Sequence, residues 1–77
     1  MIQPDEIKSL IERGLACRHV EVDGDGHHFE ALIVSDAFRG KSKVQQHQLV
    51  YRALGEHMRE AIHALSMRTL TPEEWGG

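Results

Sequence analysis

Between two short segments of alternating polarity the chain carries Asp23-Gly24-Asp25-Gly26, and this run narrows the possible folds more than any other. Asp-Gly pairs supply the positive φ angles that a tight reversal needs. Before it, Arg18-His19-Val20-Glu21-Val22 alternates polar and apolar. After it, residues 28–34 place Phe29, Ala31 and Ile33 on one face. Such alternation marks strands with one buried face, so the run predicts a β-hairpin. An isolated hairpin is marginal in water. Its apolar face must therefore be covered by the rest of the chain.

Helix signals lie on both sides. Pro4-Asp5-Glu6 suits a first turn, where proline wastes no donor and carboxylates meet the positive end of the dipole. Ile7, Leu10, Ile11 and Leu15 follow at helical spacing, and Gly14 is a natural stop, which predicts a helix over 4–14. Residues 36–41 form a connection containing Phe38 and Gly40. Ser42 and Gln45 then form a capping-box pattern. Val44, His47, Tyr51, Leu54 and Met58, with Val50 beside them, predict one amphipathic helix over 43–60. Gly55 falls inside that helix, at a cost of about 1 kcal/mol against alanine. Leu65 and Met67 alternate with Ser66 and Arg68 in a third strand over 62–70. Thr71-Pro72-Glu73-Glu74 is a second capping pattern, and the helix it opens, with Trp75 inside, reads as cut short at about 72–77.

The order α-β-β-α-β predicts a single α+β domain over 1–77. It has a three-stranded mixed sheet with helices on one face. Strand, helix and strand from 28 to 70 make a βαβ unit, whose crossover is right-handed and whose strands are parallel.

Seventy-seven residues bury only roughly 60% of their unfolded surface, which leaves little room for a deep cleft beside a core. No Ser/His/Asp order stands out and no glycine-rich phosphate loop precedes a helix, so an enzyme and a small-molecule substrate are not expected. The net charge of −3 argues against a generic nucleic-acid binder. Six histidines allow that charge to move towards positive values in mild acid. Cys17 is the single cysteine, so no intramolecular disulfide forms, which fits a reducing, cytoplasmic setting. The start MIQPDEIKSL lacks the apolar stretch of a signal peptide. No apolar run approaches the ~20 residues of a membrane span.

The parallel βαβ unit has a chemical consequence. Parallel neighbours start at the same end, about 4.8 Å apart. His63 opens the third strand, and His27 and His28 open the second. Neutral imidazole is a ligand for zinc, iron or copper. A structural zinc site wants four ligands, and two histidines do not complete one. The remaining ligands must come from another molecule, so the chain alone holds no metal and offers half a site. If Phe29 faces the core, His28 faces away from it, whereas His27 lies closer to the loop and can turn either way, so the companion of His63 is His28 or His27, with a slight lean to His28.

Other residues carry weaker signals. Arg39, Lys41 and Lys43 cluster before the long helix, with Arg52 further along it. They read as a solvated face, or as a basic patch for an acidic partner or a phosphate backbone. His47 lies on the apolar stripe and reads first as a packed histidine bonded to backbone, and otherwise as part of that partner-binding patch. His19 and His57 read as solvated, Cys17 as a small, partly buried residue, and Glu73 and Glu74 as helix-start charges.

Two strings add a resemblance. Phe38-Arg39-Gly40-Lys41-Ser42 with Val44-Gln45-Gln46-His47-Gln48-Leu49-Val50-Tyr51 resembles the central motif of BolA-like proteins. Ile62-His63-Ala64-Leu65-Ser66-Met67 with Leu70-Thr71-Pro72-Glu73-Glu74-Trp75 resembles their C-terminal motif. The hairpin is most similar to the bacterial IbaG-like branch. The resemblance covers nearly the whole chain. It implies a fold similar to class II KH domains. It also implies a heterodimer with a monothiol glutaredoxin of the CGFS type, in which a [2Fe–2S] cluster is bridged with the help of glutathione. The role implied is iron–sulfur cluster assembly or trafficking, or iron and stress regulation. His63 would be the ligand from the C-terminal motif, and His28 or His27 the ligand from the hairpin loop. Imidazole in place of thiolate raises a cluster's potential and makes ligation depend on pH. The other function implied is that of a KH-like, DNA-binding transcriptional regulator, although the chain lacks a clear Gly-x-x-Gly clamp.

Overall fold

The structure is a computed structural model that describes residues 2–60, 62 and 64–76. Its elements run α1 (Pro4–Gly14), β1 (His19–Gly24), β2 (His28–Val34), a single 3-10 turn (Asp36–Phe38), α2 (Lys43–Leu54), α3 (His57–Glu60), β3 (Ala64–Leu70) and α4 (Pro72–Trp75). The sheet order is β1-β2-β3. β1 and β2 are antiparallel, with Val22 opposite Ala31, and β2 and β3 are parallel, with His28 opposite Ala64 and Ile33 opposite Thr69. The expected α+β sheet is therefore present.

Its inner face follows from the alternation. Val20 on β1 and Phe29, Ala31 and Ile33 on β2 are buried with Ile7 and Ile11 of α1, Val50 and Leu54 of α2, and Phe38 and Ile62 from the connections. Leu65 and Met67 of β3 pack against the rim of this core and stay half-buried. The other face carries Glu21, Asp23, Glu30, Leu32, Ser66 and Arg68, around a shallow groove of about 320 Å³. No helix among the described residues is long and apolar enough to cross a membrane.

Three expectations are corrected. The helix expected over 43–60 is two helices, because Gly55 adopts φ +60° and its N–H returns to the Tyr51 carbonyl as a C-cap. Nothing stands within 4 Å of where a Gly55 Cβ would be, so its conformation and not close packing calls for glycine. β3 starts at Ala64 and not at Ile62, whose N–H donates to the His57 carbonyl while its side chain is buried in the core.

The third correction concerns the buried face of α2. It runs through Gln46, Val50 and Leu54, whereas Val44 and Tyr51 of the expected stripe are 68% and 42% exposed. His47 is half-buried and lies off the buried face, so it is not the packed core histidine expected. Gln46 displaces it. Its Nε2 donates to the Phe38 and Lys41 carbonyls at 3.1 and 3.0 Å, and its Oε1 accepts from the Thr69 hydroxyl at 2.7 Å. A glutamine at helical spacing reads as surface, yet here it adds donors to the carbonyls of the connection, where the Phe38 carbonyl also accepts the Lys41 N–H at 3.2 Å.

Candidate metal and partner site

The hairpin loop is built by Asp25. Its carboxylate accepts the backbone N–H of His27 at 2.9 Å and of His28 at 2.8 Å. Those bonds favour the ionised form and hold the Asp25 carboxyl below the usual range. Gly26 supplies the reversal with φ +96°. Gly24 lies against the returning strand, where an added Cβ would stand 2.5 Å from both the His28 carbonyl oxygen and the Phe29 ring. The loop thus fixes both histidine backbones at the start of β2, with both residues exposed.

The expected juxtaposition rests on register. His28 pairs with Ala64, the residue that follows His63 in the chain. Phe29 is buried in the core, so His28 presents its side chain to the opposite face. His63 itself lies outside the described residues. Among the described residues no three His, Cys, Asp or Glu side chains gather as a metal cluster. The donors that are described, His27 and His28, are imidazoles at an exposed end of the sheet, where β2 starts, which suits one side of a shared site. Cys17 is not a further donor. It sits between α1 and β1, its Sγ bonds to the Leu15 carbonyl, and burial, aided by Glu12, pushes its thiol up to about 11. It is the partly buried residue expected.

The basic cluster divides. Arg39 donates to both carboxylate oxygens of Glu73, at 2.7 and 2.5 Å, and lies 3.3 Å from Asp36, which in turn meets Arg18 at 3.2 Å. Lys43 reaches the Thr69 carbonyl at 2.5 Å and stands 3.9 Å from Glu74. Lys41 is exposed. Glu73 and Glu74 are thus more than helix-start charges: they engage Arg39 and Lys43 and are held below the usual carboxylate range, Glu73 by the Arg39 guanidinium and Glu74 by the Thr71 N–H. Thr71 and Glu74 also close the expected capping box. His19, expected to be solvated, instead stacks on Trp75 with ring centres 4.7 Å apart and bonds to Glu21. The stack had no signal in the sequence, since it joins residues far apart in the chain.

Comparisons with known proteins agree with this architecture. The family model for BolA-like protein matches residues 3–74. The acid stress protein IbaG of Escherichia coli K12 is 39% identical over 75 residues, which cover 96% of this chain and 89% of that protein. The DNA-binding transcriptional regulator BolA of the same organism is 37% identical over 60 residues, 78% of this chain and 57% of the regulator. The structure of a BolA protein homologue from Coxiella burnetii superposes with a TM-score of 0.90 at 46% identity and covers both chains completely.

Proposed function

The chain belongs to the BolA-like protein family, and on that premise we propose that it is an adaptor whose histidine edge completes an iron–sulfur site with a monothiol glutaredoxin. The observation that carries this reading is the hairpin. Asp25 and Gly24 fix His27 and His28 at the β2 start, and the residue opposite His28 is the one after His63. The thiol of Cys17 is far from ionised at neutral pH, so thiolate ligands must come from the glutaredoxin and glutathione. His63 and His28 are the ligands proposed from this chain, with His27 as the other loop candidate. A [2Fe–2S] cluster with imidazole on one iron has a raised potential and a proton-sensitive bond, which suits transfer more than storage. The chain's own part is to hold the loop imidazoles in place and to present them at an open edge.

The test mixes this chain with a CGFS glutaredoxin, glutathione, iron and sulfide under anaerobic conditions, followed by visible absorption and circular dichroism. His63→Ala abolishes the heterodimer's spectrum and His28→Ala weakens or abolishes it, while His57→Ala leaves it unchanged. An unaltered spectrum in His63→Ala overturns the reading.

A second reading, DNA binding, is favoured by the name of the regulator that resembles this chain. The charges weaken it, because Glu73 and Glu74 neutralise Arg39 and Lys43. Steep salt-dependent binding to duplex DNA would support it.

A further inference from the structure

We propose that the outer edge of β3 pairs antiparallel with the same edge of a second copy, joining two sheets across a two-fold axis. Among the described residues no strand lies beyond β3, which neighbours only β2. In a strand the N–H and C=O of one residue point to the same side, and successive residues alternate. The Leu70 carbonyl accepts the Ser35 N–H from the chain just after β2, so the even-numbered residues of β3 bond inward. Leu65, Met67 and Thr69 therefore direct their backbone groups outward. The Lys43 ammonium on the Thr69 carbonyl agrees with this, and it leaves the oxygen a second lone pair.

Free edges are usually guarded by charge, proline or a bulge. β1 is guarded, since Glu21 and Asp23 would meet carboxylates on any second copy of itself. β3 carries no acidic residue and no proline. Its rim side chains, Leu65 and Met67, are half-buried and continuous with the core. Two-fold pairing centred on Met67 sets Met67 against its mate and Leu65 against Thr69, which closes an apolar seam under both sheets. All outward backbone groups of β3 then form ladder bonds.

Charge selects the same register. On the open face it sets Arg68 opposite Ser66 of the second copy, and beyond Ser66, on β2, stands Glu30. Two strand spacings, on the order of 10 Å, lie within the joint reach of an arginine and a glutamate. Ser66 is small enough to let the guanidinium pass over it. The pair forms twice, once on each side of the axis. Like charges are never directly opposed in this ladder, whereas a β1 pairing would oppose them.

Sedimentation equilibrium from 10 µM to 1 mM, with amide exchange on 15N-labelled protein, tests the proposal. The mass is expected to rise from 8.7 kDa to twice that value. The Leu65 and Met67 amides should gain protection as the dimer fills. Met67→Lys, whose long chain still covers the core rim, and Arg68→Glu, on the open face and away from the core, should each weaken dimerisation at least tenfold. A second substitution, Glu30→Arg, added to Arg68→Glu should restore it. A chain that stays monomeric at 1 mM with rapidly exchanging Leu65 and Met67 amides overturns the proposal. So does a dimer that both single variants leave unchanged.

Discussion

Replacing Gln46 with methionine keeps the volume of the side chain and removes only its hydrogen bonds. In the native chain that amide donates to two carbonyls of the segment before α2, those of Phe38 and Lys41, and accepts the Thr69 hydroxyl. The residue is 4% exposed, so water cannot easily take its place. Each such bond contributes about 1 kcal/mol net, and an orphaned buried partner costs roughly 1–3 kcal/mol. Three partners lose a bond, although the Phe38 carbonyl keeps the Lys41 N–H at 3.2 Å and the carbonyl of the exposed Lys41 can recruit water. The expected loss is about 3 kcal/mol. A domain of this size has a stability of roughly 4–12 kcal/mol, so the loss is a large fraction of the total. With an m-value of about 1 kcal/mol/M, the urea midpoint falls by about 3 M. Thr69→Val removes one of the three bonds and should cost about 1–2 kcal/mol. The double variant should cost less than the sum, because both singles break the same bond. A midpoint for Gln46→Met within 1 M of the parent, or strict additivity with Thr69→Val, would refute the reasoning.

Three further outcomes are expected. Gly24→Ala forces a Cβ to 2.5 Å from the His28 carbonyl and the Phe29 ring; it should cost about 1–3 kcal/mol as overpacking and shift the amide resonances of residues 25–29, and unchanged resonances would show that the loop is not so constrained. Asp25, Glu73 and Glu74 all titrate below their ordinary values when folded, so the stability they contribute is complete above the ordinary carboxylate range and is lost as pH falls from that range through their lowered folded values; the urea midpoint should fall across that acid window, and less steeply in Asp25→Asn than in the parent, and an identical acid dependence of the two midpoints would contradict this. Cys17, with its thiol pushed up to about 11, should react with iodoacetamide at neutral pH roughly tenfold more slowly than an unperturbed cysteine, because its smaller thiolate fraction is partly offset by the thiolate's higher nucleophilicity, which mass spectrometry of timed samples measures.

Local pattern made most of the fold legible. Strand alternation with Asp-Gly turn chemistry located the hairpin, and the Ser42 and Thr71 capping boxes marked the starts of α2 and α4 where they occur. The errors have one physical source. Val44, His47 and Tyr51 share helical spacing with Leu54, but spacing alone does not say which of two adjacent stripes faces the sheet. Gln46 takes the buried stripe because carbonyls of the preceding connection need donors, and that need is a tertiary fact. Gly55 was visible as a cost within a helix, and its positive φ ends that helix there. The hairpin half of the candidate site was readable because parallel strands share a starting end. The pairing of Arg39 with Glu73, 34 positions apart, was not.

That ion pair changes how the surface should be divided. Arg39 and Lys43 look like a basic patch along the chain, yet they hold α4 against the start of α2 and the end of β3 through Glu73, Glu74 and the Thr69 carbonyl. Each exposed pair alone contributes little, because solvent screens it. Together with the His19–Trp75 stack they keep a four-residue helix docked, which propensity alone could not do. Two of the charges that a sequence reading offers to a partner, Arg39 and Lys43, are thus engaged at the C-terminal end of the sheet. These ion pairs do not involve the other end, where Asp25 holds the loop histidine backbones, or Leu65 and Met67 on the outer edge of β3. Binding at these two places, as proposed above, would leave the ion pairs that hold α4 intact.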